Sequence, residues 1–324
     1  MLELYALDKL RGKKNLLAFS AGGDSSALFF LLMEKDIRFD IAIVDYNLRS
    51  QSKEEVAYAL KLAKKYNKKC FCKETNLPPT NIEANARAFR YSFFEEIIQR
   101  YGYDNLITAH HLGDQLEWFL MQLTKGAGLV ELVGMEPIVS KEYYTLVRPL
   151  LFVTKEELKA YLKRNNITYF EDESNQDERF ERNFIRHHFS EPLLKHFGKG
   201  IKQSFRYLLE DKKLLNPNFK KRDELIVAKR PKSEYELKRT LRQMFKTKGY
   251  LLSSAQVEEI IRQQEGVIAG KIAFALTPTH LYIAPYIRYK LSKKQKEHLR
   301  KLKVPPPLRG FLTKKKLQLP ECRE

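Results

Sequence analysis

The stretch LLAFSAGGDSSAL (Leu16–Leu28) decides the fold of this 324-residue chain. Its apolar first part predicts a short buried strand, its last part predicts a helix, and small residues join the two. At such a junction, free backbone amides and the positive end of the helix dipole favour an anion. The stretch therefore predicts a phosphate-binding loop, with an ordinary strand–helix turn rich in small residues as the alternative. The residues of this loop are Ser20, Ala21, Gly22, Gly23, Asp24 and Ser25.

Strand-like and helix-like segments alternate around this loop. Besides Asn15–Ser20, we predict strands at Asp40–Tyr46, Lys69–Glu74 and Asn105–His111, with amphipathic helices between them. Repeated alternation of this kind predicts an α/β fold with a parallel sheet and helices on both faces. Ligands of such sheets bind at the carboxyl ends of the strands.

The last third of the chain has a different pattern. Residues 216–224 are rich in polar and basic side chains and predict a linker, after which two helices and a hairpin of KIAFAL and HLYIAP follow. We therefore expect two domains, residues 1–215 and residues 216–324, of which the second is a smaller α+β domain. Its hairpin aromatics, Phe274 and Tyr282, are predicted to lie in the core, with stacking on RNA as the alternative.

The charge of the chain is strongly positive. The formal net charge is +19, and Tyr286–Glu324 alone holds thirteen Lys/Arg against three Asp/Glu. Such an excess attracts polyanions. We predict a nucleic acid as the partner, because no amphipathic anchor or lipidation signal favours a membrane surface. A solvated basic face without a partner is the alternative.

Cysteine content and hydropathy predict a cytoplasmic protein. The cysteines number three, and Cys70 and Cys72 fall in one predicted strand. This usage excludes a disulfide framework and is typical of a reducing compartment. Zinc or an iron–sulfur cluster at the Cys-x-Cys pair is the weaker alternative. No apolar run approaches the roughly 20 residues of a membrane span.

Charged and histidine side chains that could take part in catalysis or binding lie on the predicted helices and at the end of a predicted strand. Arg87 and Arg90 lie three apart on one helix face and are predicted to clamp phosphate or RNA backbone. The pair His110–His111 ends a strand and is predicted to donate to phosphate oxygens. Asp114 and Glu117 share what we expect to be the exposed face of the next helix, where two acids suit an ammonium or Mg²⁺.

Five ordered segments resemble the tRNA(Ile)-lysidine synthetases, a family of PP-loop ATP pyrophosphatases. The loop is similar to their SGGxDS signature, with Ala21 in place of the first glycine, whereas no Walker A sequence GxxxxGK[ST] occurs. If that position needs a positive φ, alanine there costs roughly 1 kcal/mol. A second segment, VDYNLRSQS (Val44–Ser52), resembles their DHxLR, with Tyr46 in place of histidine.

The three further segments complete the resemblance. They are EANARAFRYSFF (Glu83–Phe94), similar to ARxxRYxFF; TAHHLGDQLEWFLMQLTKGAGLVELVGM (Thr108–Met135), similar to HHxxDQxET and a Gly-rich run, with Trp118 in place of threonine; and EDESNQDERFERNFIRHHFSEP (Glu171–Pro192), similar to DxSNxDxxxxRNxIRxxxxP. Together the five segments span about 55% of the chain.

The resemblance implies an ATP-dependent ligase. In this family the C2 oxygen of the wobble cytidine in the CAU anticodon of isoleucine tRNA attacks the α-phosphate of ATP, and pyrophosphate leaves. The ε-amine of L-lysine then displaces AMP. Such chemistry needs a pyrophosphate cradle, positive groups and an acidic site for lysine.

The resemblance also implies roles for individual residues. The catalytic residues are expected to be Asp24, Arg87, His110, Asp114 and Glu117. ATP is expected at the loop Ser20–Ser25 with His111, Mg²⁺ at Asp24, and lysine at Asp114 and Glu117. The tRNA or the activated base is expected at Asp45, Arg49, Arg90, Arg182, Asn183 and Arg186.

Three other functions stay open at this point, as does a homodimer. A PP-loop enzyme that thiolates tRNA is disfavoured, because its closest forms carry Cys-x-x-Cys pairs and none occurs here. A synthetase linked to an amidotransferase has no use for the basic C-terminal segment. A non-catalytic RNA-binding protein is favoured slightly by Ala21 and Tyr46.

Overall fold

The computed structural model describes residues 2–47, 51–76, 78, 80, 82–171, 177–215 and 217–319. The chain divides into two compact units, Met1–Leu214 and Leu215–Glu324. Within the described ranges, no helix is long and apolar enough to cross a membrane.

The first unit is built on a six-stranded sheet. Its strands are β1 (Asn15–Ala18), β2 (Asp40–Asp45), β3 (Cys70–Glu74), β4 (Asn105–Ile107), β5 (Ile138–Ser140) and β6 (Thr145–Val147). They lie in the order β3-β2-β1-β4-β6-β5, and all pairs are parallel except the edge pair β5–β6. The predicted α/β fold with a parallel sheet is thus confirmed.

Helices cover both faces of this sheet. They are α1 (Leu4–Leu10), α2 (Gly23–Glu34), α3 (Gln51–Lys65), α4 (Ile82–Tyr101), α5 (Leu112–Thr124), α6 (Leu129–Val133), α7 (Lys155–Arg164), α8 (Glu181–Ile185), a π-helical turn (Arg186–Ser190) and α9 (Glu191–Leu215). Successive side chains of a strand point to opposite faces. Accordingly, Leu17 packs in the cluster of Phe29 from α2, whereas Leu16 packs in the cluster of Phe93 from α4. Leu16 and Leu17 thus belong to two core layers, one on each face of the sheet.

The second unit contains a five-stranded antiparallel sheet. Its elements are β7 (Phe219–Arg222), β8 (Leu225–Lys229), α10 (Glu234–Lys246), α11 (Ser254–Gln263), β9 (Glu265–Ile268), β10 (Ile272–Leu276), β11 (His280–Pro285), α12 (Lys293–Lys301), a 3₁₀ turn (Pro306–Leu308) and α13 (Arg309–Lys315). The strand order is β7-β8-β11-β10-β9. The smaller α+β fold and the predicted β10–β11 hairpin are confirmed.

The second unit differs from the prediction at its first strand and agrees with it in its core aromatic residues. Of the linker predicted at 216–224, Asn216 lies outside the described residues, and from Phe219 onward the prediction is wrong, because Phe219–Arg222 pairs with β8 through a tight turn at Asp223, whose φ is 55°. Exposed lysines are compatible with a strand at the edge of a sheet. Phe274 and Tyr282 are fully buried, so they belong to the core and do not stack on RNA.

Candidate active site

The loop after β1 adopts the backbone conformation that a glycine would favour. Ala21 has a φ of 59° and is fully buried. The neighbouring segment holds it in place, since the amide of Phe170 donates to the Ala21 carbonyl at 3.0 Å. Helix α2 then begins at Gly23, and the amides of its first turn have no carbonyl four residues earlier to bond. The loop therefore keeps an anion-binding geometry in spite of its alanine.

The two loop serines have different tasks. Ser25 Oγ lies 3.0 Å from the Gly22 carbonyl and donates to it, and it accepts from the Ser20 amide at 3.2 Å. These two hydrogen bonds stabilise the loop. Since a hydroxyl carries one proton, Ser25 has no further proton to donate to a phosphate. Ser20, whose Oγ lies 3.1 Å from that of Ser25, is exposed. With the Ser25 proton on the Gly22 carbonyl, Ser20 is the donor in this contact, and it is the hydroxyl of the two that is exposed to a ligand.

His111 connects the loop to helix α5. The Gly113 amide donates to His111 Nδ1 at 2.9 Å, so the proton of the neutral ring lies on Nε2. That Nε2 is 3.6 Å from Asp24 Oδ2 and 3.7 Å from Asp114 Oδ2. Burial raises the pKa of Asp24, whose side chain is nevertheless 41% exposed, while His111 opposes the rise and Asp114 adds to it.

Two arginines, Arg182 of α8 and Arg186 of the π-helical turn, bind the acids of α5. Arg182 donates through Nη2 to Asp114 Oδ1 at 2.5 Å and through Nε to Glu117 Oε2 at 2.7 Å. Arg186 donates through Nε to Glu117 Oε1 at 2.7 Å. Burial acts to raise the pKa of Asp114, but His111, Arg182 and the His111 amide outweigh burial and lower it. Asp114 is therefore charged at neutral pH.

The expected exposed acidic face of α5 is wrong for Glu117. Only 1% of Glu117 is exposed, because Arg182 and Arg186 cover both of its oxygens. Arg186 is likewise largely buried, not a solvated surface arginine. Asn183 is also buried and donates to the Asp177 carbonyl at 2.9 Å, which holds Asp177 beside the start of α8. These residues thus hold one another in place.

His110 lies among several arginines and stays neutral. Its Nδ1 is 2.9 Å from Thr108 Oγ1. Burial lowers the pKa of His110 to about 4, and Arg148, Arg182 and Arg87 act in the same direction against Asp114. An imidazole with this pKa carries no charge at neutral pH.

Sequence reasoning missed Arg148, which follows β6. This arginine is 7% exposed, and its Nη1 donates to the Glu136 carbonyl at 2.6 Å. Its signal in the sequence was a single cation inside the apolar run TLVRPLLF (Thr145–Phe152). Since such a run is buried, the charge needed a structural reason. Arg148 fixes the chain that follows the Gly-rich segment.

Of the remaining predicted residues, Asp45 and Arg90 lie near the end of β2, whereas Arg87 is close enough to His110 to lower its pKa. The Arg90 guanidinium lies 6.0 Å from the centre of the Tyr46 ring, and Tyr46 donates to the Ala86 carbonyl at 3.2 Å. Tyr46, which stands where the DHxLR pattern has histidine, thus connects the end of β2 to α4. Asp45 accepts from the Asn47 amide at 2.8 Å. Arg87 is exposed beside Tyr91. Arg49 lies outside the described residues.

Trp118, which stands where the family pattern has threonine, packs directly against Gly134. Trp118 Nε1 donates to the Glu131 carbonyl at 2.9 Å. A Cβ added to Gly134 would lie 2.1 Å from that nitrogen, and the φ of Gly134 is 52°. Glycine is therefore required at residue 134 when tryptophan stands at residue 118.

A metal ion would have few protein ligands here. Over the ranges that the structure describes, no cluster of three or more His, Cys, Asp or Glu is arranged to hold one. The two thiols of Cys70 and Cys72 lie 3.5 Å apart, and no third His, Cys, Asp or Glu ligand joins them among the residues that the structure describes. Mg²⁺ commonly takes one or two carboxylates together with substrate phosphates. The partly exposed carboxylate of Asp24, beside the loop, fits that donor set.

Comparison with known proteins defines the class first. Residues 3–193 match the PP-loop domain family. Among solved structures, the U34-tRNA thiolase NcsA from Methanococcus maripaludis shares the fold with a TM-score of 0.54 and 18% identity, over 64% of this chain and 76% of that chain.

Three relatives then define the family. The tRNA(Ile)-lysidine synthase of Campylobacter jejuni is 45% identical over 316 residues, which cover 97% of this chain and 96% of that protein. The corresponding proteins of Wolinella succinogenes and Helicobacter pylori are 42% and 40% identical and cover 96% and 97% of this chain and 96% and 94% of their own lengths. The chain belongs to the tRNA(Ile)-lysidine synthase family.

Proposed function

We propose that the chain joins L-lysine to C2 of the wobble cytidine in the CAU anticodon of isoleucine tRNA, with ATP converted to AMP and pyrophosphate. One observation carries the proposal. A continuous series of contacts runs from Asp24 through His111, Asp114 and Arg182 to Glu117 and Arg186. It joins three of the family segments at the carboxyl edge of the sheet, where ligands of such sheets bind.

The loop and the start of α2 are suited to the phosphates of ATP. The first-turn amides and the Ser20 hydroxyl would hold pyrophosphate, and Asp24 would ligate Mg²⁺. The C2 oxygen of cytidine attacks the α-phosphorus, and the bond to pyrophosphate breaks. Arg87 and Arg182 would stabilise the charge that develops on the α-phosphate.

The acids and the neutral histidine suit the second step. Asp114, which is charged and adjoins Asp24, would bind the ε-ammonium of lysine. His110 adds a polar group beside the lysine ammonium without adding a positive charge, because its pKa is about 4 and the ring is neutral. Glu117 is buried, so we assign it the orientation of Arg182 and Arg186 instead of direct contact with lysine. After the ammonium has lost a proton to solvent, the amine attacks C2 and the bond from C2 to AMP breaks, which completes the reaction.

The tRNA would contact both units. A wobble base is already in a loop, so moving it into a pocket costs less than extrusion from a duplex. Asp45, Arg49, Arg90, Arg182, Asn183 and Arg186 stay candidates for the tRNA or the activated base. The basic second unit would bind tRNA phosphates. A cytoplasmic location follows from this substrate.

Pyrophosphate release tests the proposal. With ATP and an excess of the isoleucine tRNA but without lysine, we expect at most about one pyrophosphate per enzyme molecule, and with lysine we expect release to continue until the tRNA is consumed. A tRNA with a wobble uridine in place of the cytidine serves as the control and should give neither. Equal release with both tRNAs would contradict the proposal.

Thiolation is a weaker alternative. Cys70 and Cys72 belong to the amino-terminal part of β3, whereas the site lies at the carboxyl edge of the sheet. Sulfur transfer by these thiols would have to act at a distance from the loop. Incorporation of sulfur instead of lysine would support that alternative.

A further inference from the structure

The segment that supplies Arg182 and Arg186 also displays aromatic side chains to solvent. Phe180, Phe184 and Phe189 are 52%, 44% and 47% exposed. The Phe184 ring centre lies 5.9 Å from that of Phe189 and 4.6 Å from that of His188. We call these four side chains the aromatic face. Clustered exposed aromatic rings generally mark an interaction site.

Helix geometry separates the aromatic face from the ion pairs. Arg182 and Arg186 lie four residues apart, and both contact Glu117. Phe184 lies two residues from each, and residues at that spacing do not share a helix face. Helix α8 therefore directs arginines toward the acids of the candidate site and Phe184 away from them.

The π-helical turn continues this division. The turn begins at Arg186, which contacts Glu117, and ends at Ser190, which is buried. Phe189, between these two residues, is exposed. Short π-helical turns occur frequently at functional sites. Glu178 accepts from His187 Nδ1 and His188 Nε2, each at 3.1 Å, and so holds the His188 ring beside Phe184. Glu178 thus positions the His188 ring within the aromatic face.

From this arrangement we infer that the aromatic face stacks with unpaired bases of the RNA loop that carries the reactive base. The inference rests on the proposed function. Every base has a π-face, so aromatic rings bind single-stranded RNA with little sequence preference, and each stacked base contributes about 1–3 kcal/mol. The face lies on the same short segment as Arg182, which contacts Asp114. The net charge of +19 favours RNA over a second copy of this chain, which would repel it.

Substitution of the exposed rings tests this inference in the full chain. We expect Phe184→Leu and the double variant Phe184→Leu with Phe189→Leu to raise the Kd for an anticodon stem–loop RNA about 5-fold to 100-fold. The KM values for ATP and lysine should stay unchanged. Tyr207→Leu is the matched control, because Tyr207 is 64% exposed on α9 of the same unit. It should bind RNA as the unsubstituted chain does.

Fluorescence of 2-aminopurine beside the wobble position gives a second readout. Stacking should quench it with the unsubstituted chain and less so with the double variant. A Kd within twofold of the control in the double variant would overturn the inference. So would an altered sedimentation coefficient with unchanged RNA affinity, which would assign the face to contacts between copies. If the unsubstituted chain binds the RNA but adds no lysine, the proposed function fails and the stacking result stands separately.

Discussion

Arg186 contacts both oxygens of Glu117, with 2.7 Å between Nε and Oε1 and 3.0 Å between Nη2 and Oε2. Planar pairing of this kind fixes the guanidinium in orientation as well as position. Arg182 shares the same carboxylate. Glu117 thus sets the positions of two cations at the edge of the candidate site.

Removal of the Glu117 charge should therefore destabilise the first unit. Breaking a buried ion pair leaves the partner without a counter-ion, which typically costs about 3–5 kcal/mol of stability. For Glu117→Gln we expect about 3 kcal/mol, at the lower end of this range, because Arg182 would still be paired with Asp114. Urea unfolding of the full chain measures the change. Glu181→Gln is the control, since its pair with Lys125 is half exposed. Its loss should be below about 1 kcal/mol. Equal losses in the two variants would contradict the assigned role.

The sequence allowed the fold to be predicted because its signals are local. Leu16 and Leu17 alternate as strand residues, and the small residues after them mark the turn. The burial of Glu117 was not predictable from such patterns, because its partners lie 65 and 69 residues later in the chain. A charged residue at helical spacing from another acid suggests a solvated face until its partners are known. Arg148 had a local signal, namely one cation within an apolar run.

The strain at Ala21 can be measured against a helical alanine. Ala21→Gly should relieve about 1 kcal/mol of left-handed strain but lose about 0.8 kcal/mol of methyl burial, so we expect little net change in stability. Ala27 is equally buried within α2. Ala27→Gly should cost about 1.5–2 kcal/mol, because helix propensity and burial are both lost. Thermal unfolding compares the two variants. Equal destabilisation would show that residue 21 is not strained.

His110 should make stability depend on pH. Burial holds its pKa at about 4, below the ordinary value near 6.5. Between these values the unfolded chain binds a proton that the folded chain does not, so stability falls as the pH drops from 6.5 to 4. The full difference corresponds to about 3 kcal/mol. His110→Gln should remove this part of the slope in urea unfolding at several pH values. Parallel curves for the two proteins would contradict it.

The basic helix α12 provides a test of RNA binding that keeps the core intact. Deletion of the C-terminal segment would remove Val304, Leu308 and Phe311, which are buried in the second unit. Replacement of the exposed lysines of α12 by glutamine avoids this loss. These lysines are Lys293, Lys294 and Lys296.

Each lysine that contacts a phosphate contributes roughly −0.9 to the slope of log K against log salt on duplex RNA or DNA, and somewhat less on single strands. We expect the triple variant to bind tRNA more weakly and to reduce the slope by about 2. The control replaces three exposed lysines of α3, Lys61, Lys64 and Lys65, with the same change in net charge. Equal effects of the two variants would assign the binding to net charge alone.

Mass spectrometry of the tRNA is the most direct measurement. An isoleucine tRNA with a CAU anticodon, incubated with the protein, ATP and lysine, should gain the mass of one lysyl residue on the wobble cytidine. Asp24→Asn should give no such product while binding the tRNA normally, because Asp24 lies at the phosphate loop and not on the basic second unit. An unmodified tRNA with the unsubstituted chain, or full modification with Asp24→Asn, would contradict the assigned chemistry.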